Sequence, residues 1–227
     1  MFKFTINNNE ILNDLLSQFS DYVNKSFKFT MLFLSNPMLS EFHENERLTL
    51  ISVNKSVYQN LYSFLRLNDN NMQYAAFACL ENAVYAMRLY NVLVLNPEYM
   101  YDFITKSDFS LEDCENEILE KEKDKESTGE EFSIKEFYNG LHKVNTFELK
   151  SSSISSQVVN DNVYLGLSCG TELSEELQNE VRKNLIGAYM SLSKHTKMFF
   201  NGGLDEELED MENKLDATFF EYIKRFS

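Results

Sequence analysis

Two charged residues interrupt the most apolar stretch of the chain, residues 72–95. Glu81 and Arg88 are seven residues apart, so a helix would place them on one face, two turns apart. An unpaired buried charge is costly. Each therefore needs solvent, a partner on a neighbouring helix, or a polar site inside the fold. His142 and Asn145, from a later helix, are candidate members of such a polar site.

A small group of cations follows on the next long helix. Arg182 and Lys183 precede Lys194, His195 and Lys197. Cations gathered on one face can bind phosphate groups, which makes Arg182 a further candidate binding residue. The formal net charge is −15, from 36 Asp+Glu against 21 Lys+Arg, and this excess disfavours nucleic acid and anionic lipid as partners.

The sequence contains none of the common catalytic or cofactor motifs. None of its three histidines lies in a His-Glu-x-x-His or Glu-x-x-His pair, so we expect no metal site. The cysteines Cys79, Cys114 and Cys169 have no histidine close by in sequence, and there is no Gly-x-Ser-x-Gly turn. Phosphate-binding glycine loops are also missing. We therefore expect no cofactor and assign no catalytic residue.

The last helix begins with a dense acidic run. Such a run is typical of a solvated helix face. It would also suit an inhibitor that imitates nucleic acid and occupies the basic site of a nuclease or DNA-binding enzyme. Both alternatives stay open. The acidic interaction face would consist of Glu206, Glu207, Glu209, Asp210 and Glu212.

Helical periodicity dominates the chain and sets where these residues lie. Asn36-Pro37 should end the first helix, and the capping-box pattern Ser133-Ile-Lys-Glu136 should open a later one. Only 7 Gly and 2 Pro in 227 residues argue against β-sandwich and Rossmann-type folds. We expect an all-α bundle of six or seven helices. Apolar residues recur at helical spacing in segments 10–34, 41–67, 72–95, 98–106, 133–150, 173–200 and 204–226.

Two segments depart from this pattern. Residues 112–131 are charged nearly all round and predict an exposed helix or a linker. Residues 151–170 carry valines and leucines that predict a short β hairpin or an ordered loop. We therefore divide the chain into N-terminal bundle helices (1–110), an acidic charged insertion (111–132) and C-terminal helices that complete the bundle (133–227).

We expect a soluble, cytoplasmic protein with no membrane partner. The first residues lack the apolar core of a signal peptide, and no apolar run approaches the roughly 18 residues needed to cross a bilayer. Three widely spaced cysteines fit a reducing compartment. The 43% hydrophobic content suffices for a buried core.

Residues 72–104 form a recognisable pattern: a long Ala-rich helix with an internal Glu81, then Asn96-Pro97-Glu98, then a short aromatic helix. This pattern resembles the all-helical HEPN-like proteins of prokaryotic toxin and phage-defence systems, whose second helical pair would correspond to residues 137–200. Catalytic HEPN proteins carry an Arg followed four to six residues later by a His, and no arginine in this chain has that spacing. The resemblance therefore implies a non-catalytic, regulatory or neutralising member.

Two functional hypotheses follow. The first is a non-enzymatic helical protein, monomeric or homodimeric, that regulates or inhibits a protein partner in phage defence or another mobile-element conflict. The second is a ribonuclease-type enzyme of HEPN-like ancestry with an altered active site, using Glu81, Arg88, His142 and Arg182. The sequence favours the first hypothesis because it offers ample apolar helix surface for binding but no set of residues typical of a catalytic site.

Overall fold

In the computed structural model the chain forms a helical bundle with one small hairpin. The structure describes residues 10–39, 42–70, 72–122, 133–151, 156–159, 162–165, 175–199 and 205–226. The all-α prediction is confirmed, and eight helices lie within these ranges, one more than the seven predicted segments, because residues 111–122 of the charged insertion are also helical. The helices are α1 (Glu10–Ser35), α2 (Glu44–Asp69), α3 (Gln73–Leu95), α4 (Glu98–Thr105), α5 (Leu111–Glu122), α6 (Ile134–Ser151), α7 (Glu175–Lys197) and α8 (Glu206–Phe226).

The hairpin consists of β1 (Ser156–Val159) and β2 (Asn162–Leu165). The two strands pair antiparallel, with Val158 opposite Val163. It lies in the segment 151–170 for which a hairpin or an ordered loop was expected.

Helix α3 is the centre of the bundle. It packs against α2, α4, α5, α6 and α7, and its most extensive contact is with α2. Ala76, Ala83 and Ala86 are buried on it, and such small side chains let neighbouring helices approach closely. Leu80 and Met87 supply buried bulk. The Ala-rich apolar sequence of residues 72–95 therefore produces the helix around which the others assemble.

Helix α1 covers a second side of the core and contacts α2, α7 and α8. Leu15, Phe19, Tyr22 and Val23 are fully or almost fully buried on it, as the spacing predicted. A fully buried side chain of this kind contributes roughly 1.5–3 kcal/mol. The helix ends at Ser35, just before Asn36-Pro37, because proline disfavours helix in the preceding residue.

The start of α2 differs from the sequence prediction. The helix begins at Glu44, after the N-cap His43, whose backbone N–H donates to Glu46 Oε2 at 3.0 Å. Ser40, whose hydroxyl predicts a cap for a helix that begins at residue 41, lies outside the described residues. The apolar spacing of segment 41–67 places Leu48 on the buried face, yet its side chain is 54% exposed. It precedes the buried Leu50 by two residues, a rotation of about 200° that turns it to the opposite side.

The charged insertion is partly built into the bundle. Its first part is α5, which packs on α3 and buries Leu111. Residues 123–132 lie outside the described ranges. The next helix, α6, starts as its capping pattern predicted, since the Glu136 N–H donates to Ser133 Oγ at 3.2 Å. No described helix is long and apolar enough to span a membrane.

Two helical glycines offer a matched test of this packing. A Cβ built at Gly187 of α7 would overlap the ring of Phe137 on α6, whereas one at Gly140 of α6 meets nothing within 4 Å. We expect Gly140→Ala to raise the free energy of unfolding by up to about 1 kcal/mol through helix propensity. Gly187→Ala should lower it by about 1–3 kcal/mol through overpacking. Urea denaturation of both variants checks this, and a stabilised Gly187→Ala would contradict the α6–α7 contact.

Candidate functional site

Glu81 and His142, both proposed from sequence, meet where α3 packs against α6. Glu81 Oε1 lies 2.6 Å from His142 Nδ1. Because a carboxylate only accepts hydrogen bonds, Nδ1 carries the proton in this contact. The His142 side chain is 60% exposed and that of Glu81 is 18% exposed. The pair therefore lies at the surface of the bundle rather than inside it.

Arg88 uses both the edge and the face of its guanidinium group. Its Nε donates to Glu115 Oε1 at 2.8 Å and its Nη2 to Oε2 at 2.5 Å. The guanidinium carbon lies 4.3 Å from the centre of the Tyr138 ring. The planar fork of arginine suits this two-point pairing, which neutralises a charge that is only 6% exposed. Arg88 is thereby committed to contacts within the protein.

Tyr138 joins these two pairs. Its ring stacks on that of His142, with centroids 5.9 Å apart and planes at 9°, and Arg88 lies over it. Tyr85 of α3 is also adjacent, with ring centroids 6.1 Å apart. Glu81, Arg88, Tyr138 and His142 therefore form one continuous α3–α6 cluster. Sequence analysis missed Tyr138, although it lies one helical turn before His142.

The two other proposed binding residues lie on α6 and α7. Asn145 is on α6, one turn after His142, and its side chain lies outside the described residues. Arg182 is on α7 and only 7% exposed, and its Nη1 donates to Asn179 Oδ1 at 2.6 Å. Their roles in binding stay predictions.

The proposed acidic face of α8 loses one member in the structure. Glu206, Glu207, Glu209 and Asp210 are exposed, and Glu207 pairs with Lys25 of α1. Glu212 is only 6% exposed, because it points into the bundle.

The contacts of Glu212 explain its burial. Tyr22 Oη donates to its Oε1 at 2.6 Å, and Lys197 Nζ lies 2.8 Å from Oε2. Burial, together with the Glu212 charge, raises the pKa of Tyr22 well above its ordinary value. Glu212 therefore belongs to the interior, where it holds α1, α7 and α8 together.

His195, which the sequence grouped with surface cations, is completely buried. Its Nε2 lies 2.9 Å from Asn54 Oδ1, and Asn54 Nδ2 donates to Thr30 Oγ1 at 3.0 Å. The amide orientation makes Oδ1 the acceptor, so His195 carries its proton on Nε2. Desolvation lowers the pKa of His195 to about 3, and the side chain is neutral at pH 7.

Hydroxyl groups extend this network through the core. Ser26 Oγ lies 2.5 Å from Tyr58 Oη and 2.6 Å from Thr196 Oγ1. Thr30 Oγ1 donates to Tyr58 Oη at 3.3 Å. Residues of α1, α2 and α7 therefore share one buried hydrogen-bonded network, and each must keep its register for the polar groups to stay paired.

The buried His195 predicts a pH dependence of stability. Its ordinary pKa is 6.5 and its folded pKa is about 3, so between these values the unfolded chain binds a proton that the folded chain does not. This contribution is complete above about pH 6.5 and falls by about 1.4 kcal/mol per pH unit as the pH drops towards 3.

The free energy of unfolding should therefore be lower at about pH 5.5 than at about pH 7. We expect His195→Gln, which keeps a donor for Asn54, to reduce this difference by about 1 kcal/mol. Urea unfolding at the two pH values measures it. His43→Gln, at an exposed position, is the control and should keep the wild-type difference. Equal differences in all three proteins would contradict a neutral, buried His195.

A long uncharged face on α2 escaped the sequence analysis. Its polar side chains recur every three or four residues over about five turns. All are exposed or half-buried. Surface helices usually carry charges opposite their buried face, and this chain is 25% charged. The spacing of Ser, Thr and Asn was the available signal: Asn45, Thr49, Ser52, Ser56, Asn60 and Ser63.

Next to this face, α3 and α4 complete an open groove of about 560 Å³. Tyr85 is 40% exposed and Ile104 is 56% exposed within it. Among the described residues that line it, none is charged. The residues that define this α2–α3 groove are Thr49, Ser52, Val53, Ser56 and Asn60 of α2, Asn82, Tyr85, Ala86 and Leu89 of α3, and Phe103 and Ile104 of α4.

Comparison with protein-family models, with curated proteins and with solved structures finds no match for this chain. Among the described residues, no group of three or more His, Cys, Asp or Glu side chains is placed to hold a metal ion. Function is therefore inferred from the side chains themselves: an α3–α6 cluster with paired charges, a neutral buried histidine and an uncharged groove.

Proposed function

We propose that this protein acts without catalysis, by binding a partner protein in the α2–α3 groove. The observation that carries the proposal is the uncharged, accessible lining of that groove in a chain of formal net charge −15. Charged residues are depleted in the cores of protein interfaces because their desolvation is costly. A partner can therefore cover this uncharged surface at a lower desolvation free energy than a charged one.

Two polar donors in the groove also suit burial. Thr49 Oγ1 donates to the Asn45 carbonyl at 3.0 Å, and Asn60 Nδ2 donates to the Ser56 carbonyl at 2.9 Å. On the same face, Ser63 Oγ donates to a carbonyl one turn earlier at 2.9 Å. Side chains satisfied within their own helix do not become orphaned when a partner covers them.

Large side chains at the groove provide contact area. Tyr85, Phe103 and Ile104 line it, and Tyr85 and Ile104 are 40% and 56% exposed. Aromatic and large aliphatic side chains supply much of the energy at protein interfaces. The α3–α6 cluster supports this wall, since Tyr85 rests beside Tyr138, which is itself held by Arg88.

Site-specific photo-crosslinking in the native host tests the proposal. A photoreactive residue at Ser56 or at Asn82, on opposite walls of the groove, should capture the same protein, because both positions face the bound partner. Lys55, exposed on α2 but off the groove, is the matched control and should capture it at least about tenfold less. Equal capture from Lys55, or none from either groove position, would contradict the proposal.

The resemblance to HEPN-like proteins suggests the setting. It favours a cytoplasmic regulator or inhibitor in phage defence or another mobile-element conflict, with the partner controlled by occupancy of the groove. Inhibition by an acidic surface that imitates nucleic acid has less support. Its α8 face keeps only four exposed carboxylates, and Glu207 is already paired with Lys25.

A ribonuclease-type enzyme is the second candidate, and the Glu81–His142 hydrogen bond is the observation that favours it. An imidazole held at Nδ1 by a carboxylate can take up a proton at Nε2 and so act as a general base. The occupied guanidinium of Arg88 opposes this function, because arginine would be needed to bind phosphate.

Cleavage of labelled RNA separates the two candidates. We expect no turnover by the wild-type protein and no difference from His142→Ala, because Arg88 is held by Glu115. Arg182→Ala serves as a second variant. RNA cleavage that falls at least about a hundredfold in His142→Ala would overturn the non-catalytic proposal, since loss of a general base has effects of that size.

A further inference from the structure

The α2–α3 groove has the dimensions of a helix-binding site. Its α2 wall, from Thr49 to Asn60, is about 16 Å long at a rise of about 1.5 Å per residue, which equals three helical turns. Packed helices lie about 8–10 Å apart, depending on the side chains between them. Ser52, Ser56 and Ala86 are small enough to permit the closer distances.

The helical backbone around the groove offers an extended peptide no partners for its own N–H and C=O groups. The groove walls are α-helices, whose N–H and C=O groups bond within each helix. A bound strand would find no exposed sheet edge to extend. A bound helix satisfies its own backbone and needs only side-chain contacts.

Carboxylates recur along α4 and the segment that follows it, and Asp102 directly precedes the groove residue Phe103. The acidic rim consists of five residues between positions 98 and 113, and Lys106 is the cation in that stretch. Lys106 Nζ lies 2.8 Å from Asp102 Oδ2, and its pKa is raised by that hydrogen bond and by the nearby carboxylates. The surplus charge of this stretch, which contributes Phe103 and Ile104 to the groove, is therefore negative. The rim residues are Glu98, Asp102, Asp108, Glu112 and Asp113.

A second copy of the chain is a poor occupant. It would bring the same acidic rim and a formal net charge of −15 to the interface. Like charges placed across an interface cost several kcal/mol. A partner with basic residues gains attraction at the rim and still meets an uncharged groove.

We infer that the α2–α3 groove takes an amphipathic helix of a basic protein, with small and apolar residues facing α2 and α3 and Lys or Arg facing the acidic rim. This inference rests on the proposed function and names the chemistry of the partner. The groove provides contact area, and the rim sets the orientation of the helix and accelerates its association.

Two synthetic helical peptides of 18 residues serve as probes. Both carry the same Ala/Leu face, and one has Lys and the other Glu at the flanking positions. Binding is measured by fluorescence anisotropy at low salt. The groove variant is Ser56→Arg, which places bulk and charge on the α2 wall.

Two charge variants are matched. The rim variant is Asp102→Asn/Asp108→Asn/Glu112→Gln, and the control is Glu206→Gln/Glu209→Gln/Asp210→Asn on α8. Each removes three negative charges from exposed or half-buried positions. They separate the local effect of the rim from the effect of overall charge.

We expect the Lys-flanked peptide to bind the wild type at least about tenfold more tightly than the Glu-flanked one. Ser56→Arg should weaken this binding about tenfold and the rim variant about fivefold, whereas the α8 control should stay within about twofold. Equal weakening by the rim variant and the α8 control, or no effect of Ser56→Arg, would overturn the inference.

Two further results separate the inference from the proposed function. Failure of the Lys-flanked peptide to bind, while Ser56 still crosslinks a partner in cells, would overturn only the helix inference. A wild-type dimer mass in light scattering that Ser56→Arg converts to monomer would also overturn it, because the occupant would then be a second copy. Absence of any partner crosslinked at Ser56 and Asn82 would remove the proposed function itself.

Discussion

A buried charge on the central helix is the constraint around which one side of this protein is organised. Arg88 lies on α3, the helix that contacts α2, α4, α5, α6 and α7. Its guanidinium cannot be left unpaired in that environment. Glu115 of α5 pairs with the guanidinium at two atoms, and Tyr138 of α6 covers its face. The contacts of this one cation therefore hold two largely polar helices, α5 and α6, against the apolar α3. The same arrangement places Tyr138 beside Tyr85, on the wall of the groove.

The opposite side of the core is organised by neutral polar groups. His195, Asn54, Thr30 and Tyr58 form a hydrogen-bonded set that reaches three helices without a net charge. Apolar contacts alone tolerate several registers, whereas paired polar groups tolerate few. Glu212 adds a charged contact at the edge of this region, where Lys197 remains accessible. Because Glu212 is buried, it stabilises the interior and does not contribute to the acidic surface of α8.

The α3–α6 cluster and the α2–α3 groove therefore differ in what they can do at the surface. Glu81, His142 and Arg88, which the sequence singled out for chemistry, are held in contacts within the protein, so the α3–α6 cluster acts as a support. The α2–α3 groove lacks charge and has hydroxyl and amide groups already bonded within α2, which suits coverage by another protein. Under the proposed function, the acidic rim selects among partners by charge.

Much of the fold follows from sequence, because helical periodicity and capping are local. The all-α class, the end of α1 before Asn36-Pro37 and the Ser133 cap were all predicted correctly. A partner on a neighbouring helix was one of the alternatives that the cost of burying a charge predicted for Glu81 and Arg88. The start of α2 and the exposure of Leu48 were predicted wrongly, because apolar spacing does not by itself fix where that helix begins or which of its sides is buried.

The sequence by itself determined which faces must be buried and that two charges on α3 need partners. Only the tertiary structure decided that Glu115 and Tyr138 are those that hold Arg88, that His195 is a neutral core residue, and that Glu212 points inward. The physical reason is that a periodic pattern defines the angle of a side chain about its own helix but not which helix lies opposite. A polar residue becomes a ligand, a core contact or a surface charge according to the neighbour that packing brings to it.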